Sequence, residues 1–327
     1  MLTVDEALAR LLDGVRLTDG ERVSLVDGLG RAPVAGDVTS DIDVPPFANS
    51  AMDGFALLAA DGDAPRRLVG ESRAGGPPAP AVAAGTAVRI MTGAPMPDGA
   101  DTIVPIEEAT ERDGMVLVAD APSVGIHVRP AGLDVRRGAS VPLPRVPISA
   151  STIGLLAAMG VAHLDARRRP RVAILSTGDE LRDVGASLGH GQIYDANAPA
   201  LAAAVTEAGG EPVILERAPD DPIAIHATLR SAVESADLLI ASGGVSVGEH
   251  DHVRGVIERL GMLDFWRIAV QPGKPLAFGR IGEVPVVGLP GNPVSALVTF
   301  ELFVRPMLRA MLGLAGDGRL RVSARVS

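Results

Sequence analysis

The chain has 327 residues and a formal net charge of −10, and 47% of its residues are hydrophobic while only 2% are aromatic. That length fits about two domains, and the acidic balance argues against a broad nucleic-acid or anionic-membrane surface. With no cysteine there is no disulfide framework and no thiolate metal site. The opening stretch, MLTVDEALARLL, reads as an amphipathic helix over Val4–Leu12 and not as a signal peptide. No apolar run approaches the ~20 residues of a membrane span, so a cytoplasmic protein is expected. From Asp37 to His127 short β-type runs (66–70, 87–91, 101–105, 115–118) alternate with Gly/Pro turns, which predicts a β-rich module. A Gly-rich turn and a helix over Ser149–Met159 follow, and the RRRP tract at 167–170 reads as a hinge.

From Arg171 onward strands and helices alternate. Strands are expected at Val172–Leu175, Val213–Leu215, Leu238–Ala241, 276–281 and 284–289. Helices are expected after Asn197 (read as an N-cap), from Asp221-Pro222 to about Ser235, over Val253–Leu260, and in one long run from Pro293 to Leu312. Continuous apolar strands between helices imply a parallel, doubly wound α/β sheet, whose ligands bind beyond the carboxyl ends of its strands. The expected division is a small mixed N-terminal linker domain (1–39 with 129–166), a β-rich inserted domain (40–128), a doubly wound α/β domain with a mainly parallel sheet (167–313), and a short remnant of a further β-domain (314–327).

Three loops leave those strand ends: STGDE (176–180), SGGVSVGEHD (242–251) and LPGNPVS (289–295). Each joins glycines to hydroxyls, a composition that lets backbone N–H groups approach an anion. None is a Walker A loop or a dinucleotide fingerprint. Glu180 and Asp251 add a pair of acids, and such a pair beside phosphates holds Mg²⁺; capping of the next helix is the plainer use of Asp251. His250 and His252 suit no zinc spacing and read as solvated or structural. Of the 30 basic residues, Lys274 is the one lysine, a compact charge held between Gly273 and Pro275. In the β-rich half Asp53 and Thr92 each precede a glycine, where turn capping is the commoner role.

The runs PPFANSAMDGFAL, MTGAPMPDGAD, RPAGLDV, STGDEL, GQIYDAN, SGGVSVGEHD, PGKP and GLPGNPVSA, in that order, resemble the molybdopterin molybdotransferases, the MoeA family, and the gephyrin E domain. The resemblance covers nearly the whole chain. It implies an enzyme of molybdenum cofactor biosynthesis that inserts molybdate into adenylylated molybdopterin with Mg²⁺-dependent release of AMP. It also implies a homodimer with an active site shared between subunits, and the pathway's adenylyltransferase as a partner. Carried over, the family's important acids fall on Asp53, Asp134, Glu180, Asp220 and Asp251, with Thr92 and Lys274 beside them. Substrate-binding positions fall on Ser176, Thr177, Gly178, Asp220, Gly243, Gly244, Ser246, Arg267, Pro290, Gly291, Asn292, Pro293 and Ser295, and metal ligands on Glu180 and Asp251. Gln271 departs from the family's basic residue at that position, and only Ala315–Ser327 follow the last helix where the family continues into a β-domain. Two other readings keep the sheet: an adenylyltransferase-like enzyme, whose relatives lack the segments around Asp53 and Thr92, and a peptide-binding scaffold.

Overall fold

A computed structural model describes residues 2–244, 252–270 and 275–314, with the side chains of 265–267 outside the description. The chain divides into two compact units, one of Met1–Gly36, Pro144–Ser149 and His163–Ser327, the other of Asp37–Leu143 and Ala150–Ala162.

Helix α1 (Val4–Leu12) starts on a reciprocal cap. The Glu6 N–H donates to the Thr3 hydroxyl at 3.2 Å, and the Thr3 N–H donates to the Glu6 carboxylate at 2.8 Å. Strand β1 (Gly20–Ser24) follows.

The second unit carries a six-stranded sheet of β2 (Gly54–Leu57), β3 (Arg66–Ser72), β4 (Thr86–Ile90), β5 (Thr102–Pro105), β6 (Ala109–Arg112) and β7 (Met115–Val118), in the order β5-β2-β4-β3-β7-β6. All its pairs are antiparallel except β3 with β4. The two-residue period of a strand sorts its apolar residues: Phe55 and Leu57 enter one buried cluster, Ala56 the other. Four of these strands are legible in the sequence; β2 and β6 are not, because Gly54–Leu57 and Ala109–Arg112 carry no clear alternation. Helix α2 (Ala150–Ala158) closes this unit.

The first unit resumes with β8 (His163–Arg167), antiparallel to β1. Its main sheet is built from β9 (Arg171–Ser176), β10 (Glu211–Ile214), β11 (Leu238–Ser242), β12 (Met262–Arg267), β13 (Pro275–Ile281) and β14 (Val284–Leu289), in the order β10-β9-β11-β14-β13-β12. Between these strands run α3 (Asn197–Glu207), α4 (Pro222–Ala232) and α5 (His252–Leu260), and after them α6 (Pro293–Thr299) and α7 (Arg305–Met311). Both faces are covered. Val172, Ile174, Leu238 and Ile240 point into a core shared with α1, α3, α6 and α7, while Ala173, Leu175, Leu239 and Ala241 point into one shared with α4 and α5. This is the doubly wound arrangement, and burial on both faces explains the unbroken apolar runs. No described helix is long and apolar enough to cross a membrane.

The sheet is mainly parallel, as expected. Its far edge is the exception: β13 runs antiparallel to both β12 and β14, and the two-residue connection at Gly282-Glu283 makes β13 and β14 a hairpin. One expectation is corrected: the last helix is not one run. A π-helical turn over Phe300–Val304 separates α6 from α7, just ahead of Pro306, which has no N–H to give the preceding turn.

In the RRRP tract, Arg168 donates two bonds to the Asp237 carboxylate at 2.6 and 2.7 Å, and the Arg171 N–H donates to it at 2.7 Å. Asp237 thus ties the starts of β9 and β11 together. Burial pushes its carboxyl up, but these donors hold it below the ordinary 3.8. With the folded value depressed, the contribution is complete above about pH 3.8 and is lost as pH falls through the folded value. Asp237→Ala is expected to lower stability by about 2 kcal/mol at neutral pH. Urea unfolding should show that deficit shrink as the pH is taken into that acid window.

Candidate functional site

The strand order β10-β9-β11 reverses direction between β9 and β11, a topological switch point where α/β sheets open a crevice. The ladder brings three strand ends level, since Ser176 pairs with Ser242 and Ser242 with Leu289. Beyond that level lies a cleft of about 510 Å³. Thr177, Gly178 and Glu180 line it from the β9 loop, Ser242, Gly243 and Gly244 from β11, and Pro290, Gly291, Asn292 and Ser295 from β14. Asn197, Asp220 and Pro275 complete the wall. The three loops singled out in the sequence, the second by its described residues Ser242–Gly244, therefore meet at one place.

Local chemistry explains the turn after β11. Gly243 and Gly244 have φ of 90° and 66°, the left-handed region. A Cβ on Gly243 would lie 2.9 Å from the Thr177 carbonyl oxygen, and one on Gly244 would lie 2.7 Å from Val253 Cγ2. Only glycine lets this backbone pass so close. At the β14 loop, Asn292 caps α6 by accepting the Ser295 N–H at 3.2 Å, with Pro293 in the first turn. That N–H is therefore occupied by the cap. The Thr177 side chain is 96% buried and its hydroxyl has no partner among the described residues. An unmet buried hydroxyl costs about 1–3 kcal/mol, which a ligand in the cleft would relieve. Ser176 Oγ is likewise unpartnered, but Ser176 lines a neighbouring cleft of about 400 Å³ with Asp183, Asp195 and Arg217.

The cleft is acidic at the β9 loop. Burial pushes the Asp220 carboxyl above its ordinary value, and the charges of Asp179 and Glu180 push it the same way. The acids Glu180 and Asp220 line this one cleft, and carboxylates are the oxygen ligands that Mg²⁺ takes together with phosphate oxygens. Among the described residues no group of three or more His or acid side chains forms a metal cage. Asp251, Lys274 and Ser246 lie outside the described residues, as does the side chain of Arg267.

Asn197 corrects the sequence reading. It is not the N-cap of α3; Ala196 stands there. The capping is done from one residue earlier, by Asp195, whose Oδ1 accepts the N–H groups of Asn197 and Ala198, both at 3.0 Å. Freed from that task, the Asn197 amide reaches across the cleft floor. Its Nδ2 donates to Ser242 Oγ and to the Gly291 carbonyl, each at 2.8 Å. Sequence reasoning missed this bridge, and the DAN run at 195–197 was its only local trace.

In the second unit Asp53 and Thr92 are joined. Asp53 Oδ1 accepts the Thr92 N–H at 2.6 Å and the Thr92 hydroxyl at 2.7 Å. These bonds hold the Asp53 carboxyl below its ordinary value. Thr92→Val deletes the hydroxyl bond and keeps the N–H, so the Asp53 pKa is expected to rise, while Thr92→Ser should retain the wild-type value. Carbon-detected titration of Asp53 checks both. Asp134 is paired with Arg129 at 2.9 Å.

Residues 2–160 match the family model described as the MoeA N-terminal region (domain I and II), and residues 173–310 match one described as a probable molybdopterin binding domain. The chain is similar to a molybdopterin molybdenumtransferase of Haemophilus influenzae, 39% identical over 96% of this chain and 78% of that one. It is also similar to molybdopterin molybdenumtransferase 2 of Mycobacterium tuberculosis, 41% identical over 89% of this chain and 75% of that one. Two crystal structures of MoeA molybdopterin biosynthesis proteins from Pyrococcus horikoshii superpose with TM-scores of 0.80 and 0.82, at 34% and 27% identity, each over 97% of this chain and 81% of that one.

Proposed function

The chain belongs to the molybdopterin molybdenumtransferase family, transferases of molybdenum cofactor biosynthesis, and on that premise we propose that it inserts molybdate into adenylylated molybdopterin and releases AMP. The observation that carries the reading is the switch-point cleft, where hydroxyls of Thr177 and Ser242 and the acids Glu180 and Asp220 face one volume. Separating two phosphoryl groups is mainly a matter of positioning and charge neutralisation. Thr177 and the Gly243-Gly244 turn bind and orient phosphate oxygens, and the LPGNP loop fixes the far wall. Lys274 is assigned to the molybdate dianion, with Arg267 as a second cation. Glu180 and Asp251 would hold Mg²⁺, which when bound neutralises phosphate charge; the acids Glu180 and Asp220 lining the same end of the cleft support placing a cation there. Asp53, Thr92 and Asp134 belong to the same proposal as catalytic residues supplied by the β-rich unit. A homodimer, a cytoplasmic location and the pathway's adenylyltransferase as donor of the substrate complete it, and they rest on family membership.

An adenylyltransferase-like activity is disfavoured by the match over residues 2–160, which includes the Asp53 and Thr92 segments. The test is reconstitution. Purified chain given adenylylated molybdopterin, molybdate and Mg²⁺ is expected to yield a product that activates an apo-enzyme dependent on the molybdenum cofactor. Failure to activate it, with substrate bound, would favour the scaffold reading.

A further inference from the structure

Asn197 and Ser242 form a pair whose polarity is fixed by a third group. The Gly291 carbonyl can only accept, so the nitrogen of the Asn197 amide must face it. The second N–H of that same nitrogen then falls on Ser242 Oγ, at 2.8 Å. Ser242 is therefore the acceptor in this bond, and its own hydroxyl proton is not used there. None of the described residues takes that proton, although Ser242 is only 2% exposed. Ser242 lines the cleft. A further hydroxyl of the cleft, Thr177 Oγ1, has no partner among the described residues and sits beside the turn that follows Ser242, 3.2 and 3.1 Å from where side chains on Gly243 and Gly244 would begin.

We infer that Asn197 is a positioning residue that, by filling one of the two lone pairs of Ser242 Oγ, orients its hydroxyl to donate toward an oxyanion of the ligand. A serine hydroxyl carries one proton and two lone pairs; with one lone pair engaged by the amide N–H, a ligand that has only acceptors can be met there through the proton alone. Paired with Thr177, it offers two hydroxyl donors on either side of one glycine turn, an arrangement that suits a group rich in acceptors and lacking protons. A phosphate of the pterin nucleotide and molybdate share that chemistry. The inference rests on the reading of the cleft as the substrate site.

The experiment is calorimetric titration of the full chain with AMP and, separately, with sodium molybdate. Ser242→Ala is expected to weaken one of the two probes by about tenfold to a hundredfold, the range of a hydrogen bond to a charged group, and the probe affected identifies the oxyanion. Asn197→Asp keeps Ser242 but replaces the donor by an acceptor that captures the hydroxyl proton. It should weaken the same probe, and in the Ser242→Ala background it should add no further loss. Charge repulsion alone would add the same loss in both backgrounds, and that result would overturn the positioning role. Wild-type affinity of Ser242→Ala for both probes would overturn the donor role. Gly291→Phe separates this from the site reading. A Cβ there starts at an ordinary 3.7 Å from Gly243 Cα, on a residue that lines the cleft, so the ring is expected to take up cleft volume. If it abolishes binding while Ser242→Ala does not, the donor assignment alone fails; if it leaves both probes bound, the cleft is not their site and the inference falls with it.

Discussion

Glu180→Gln is expected to reduce turnover by about a hundredfold or more while leaving the folded state intact, the scale seen when one electrostatic stabiliser of a transition state is removed. The side chain lines the cleft at its acidic end and is exposed there, so it supports no core packing. It also adds to the charge that holds the Asp220 carboxyl up. Removing its charge should therefore do two things at once. The Mg²⁺ concentration needed for half-maximal rate should rise, because one proposed ligand has lost its charge, and the Asp220 pKa should fall toward the ordinary carboxylate value. Measuring rate against Mg²⁺ for the variant and the wild type checks the first, and titration of Asp220 the second. A wild-type rate at every Mg²⁺ concentration would remove Glu180 from the metal site.

Phe303→Ala is expected to have the largest effect on stability. A chain with 2% aromatic residues fills its interior with Ala, Val, Leu and Ile, so its few buried rings occupy volume that nothing nearby can replace. Phe303 is fully buried in the π-helical turn, in one cluster with Leu8 and Leu11 of α1, Leu201 of α3 and Ile240 of β11. Truncating a buried Phe costs about 3–5 kcal/mol, from lost transfer energy and the cavity left behind. For a unit of this size that corresponds to a fall in melting temperature on the order of 10 °C. Differential scanning calorimetry measures it. Phe303→Leu, which refills much of the volume, should recover most of the loss.

What was legible in the sequence was contiguous. STGDE, SGGVS and LPGNP announce glycine turns and hydroxyls within single loops, and the alternation of apolar runs with capped helices announces a doubly wound sheet whose strand ends gather them. The Asn197 bridge was not legible, because its partners Ser242 and Gly291 lie 45 and 94 residues away and nothing local marks which loops share a wall. Asn197 followed by Ala198-Pro199 has the composition of a helix cap, and the competing cap, Asp195, stands only two residues before it. The join of Asp53 to Thr92 spans 39 residues and depends on the pairing of β2 with β4. The antiparallel hairpin was legible only in spacing: the apolar runs 276–281 and 284–289 leave two residues between them, while β13 and β14 themselves are as apolar as parallel strands, since both of their faces are covered.

The central claim is the transfer reaction itself, and its most direct test is AMP release from adenylylated molybdopterin by the purified chain with Mg²⁺, in the presence and absence of molybdate. The account predicts AMP released together with molybdenum bound to the pterin, at a rate that depends on both molybdate and Mg²⁺. Substrate that binds and stays adenylylated when both are supplied would contradict it.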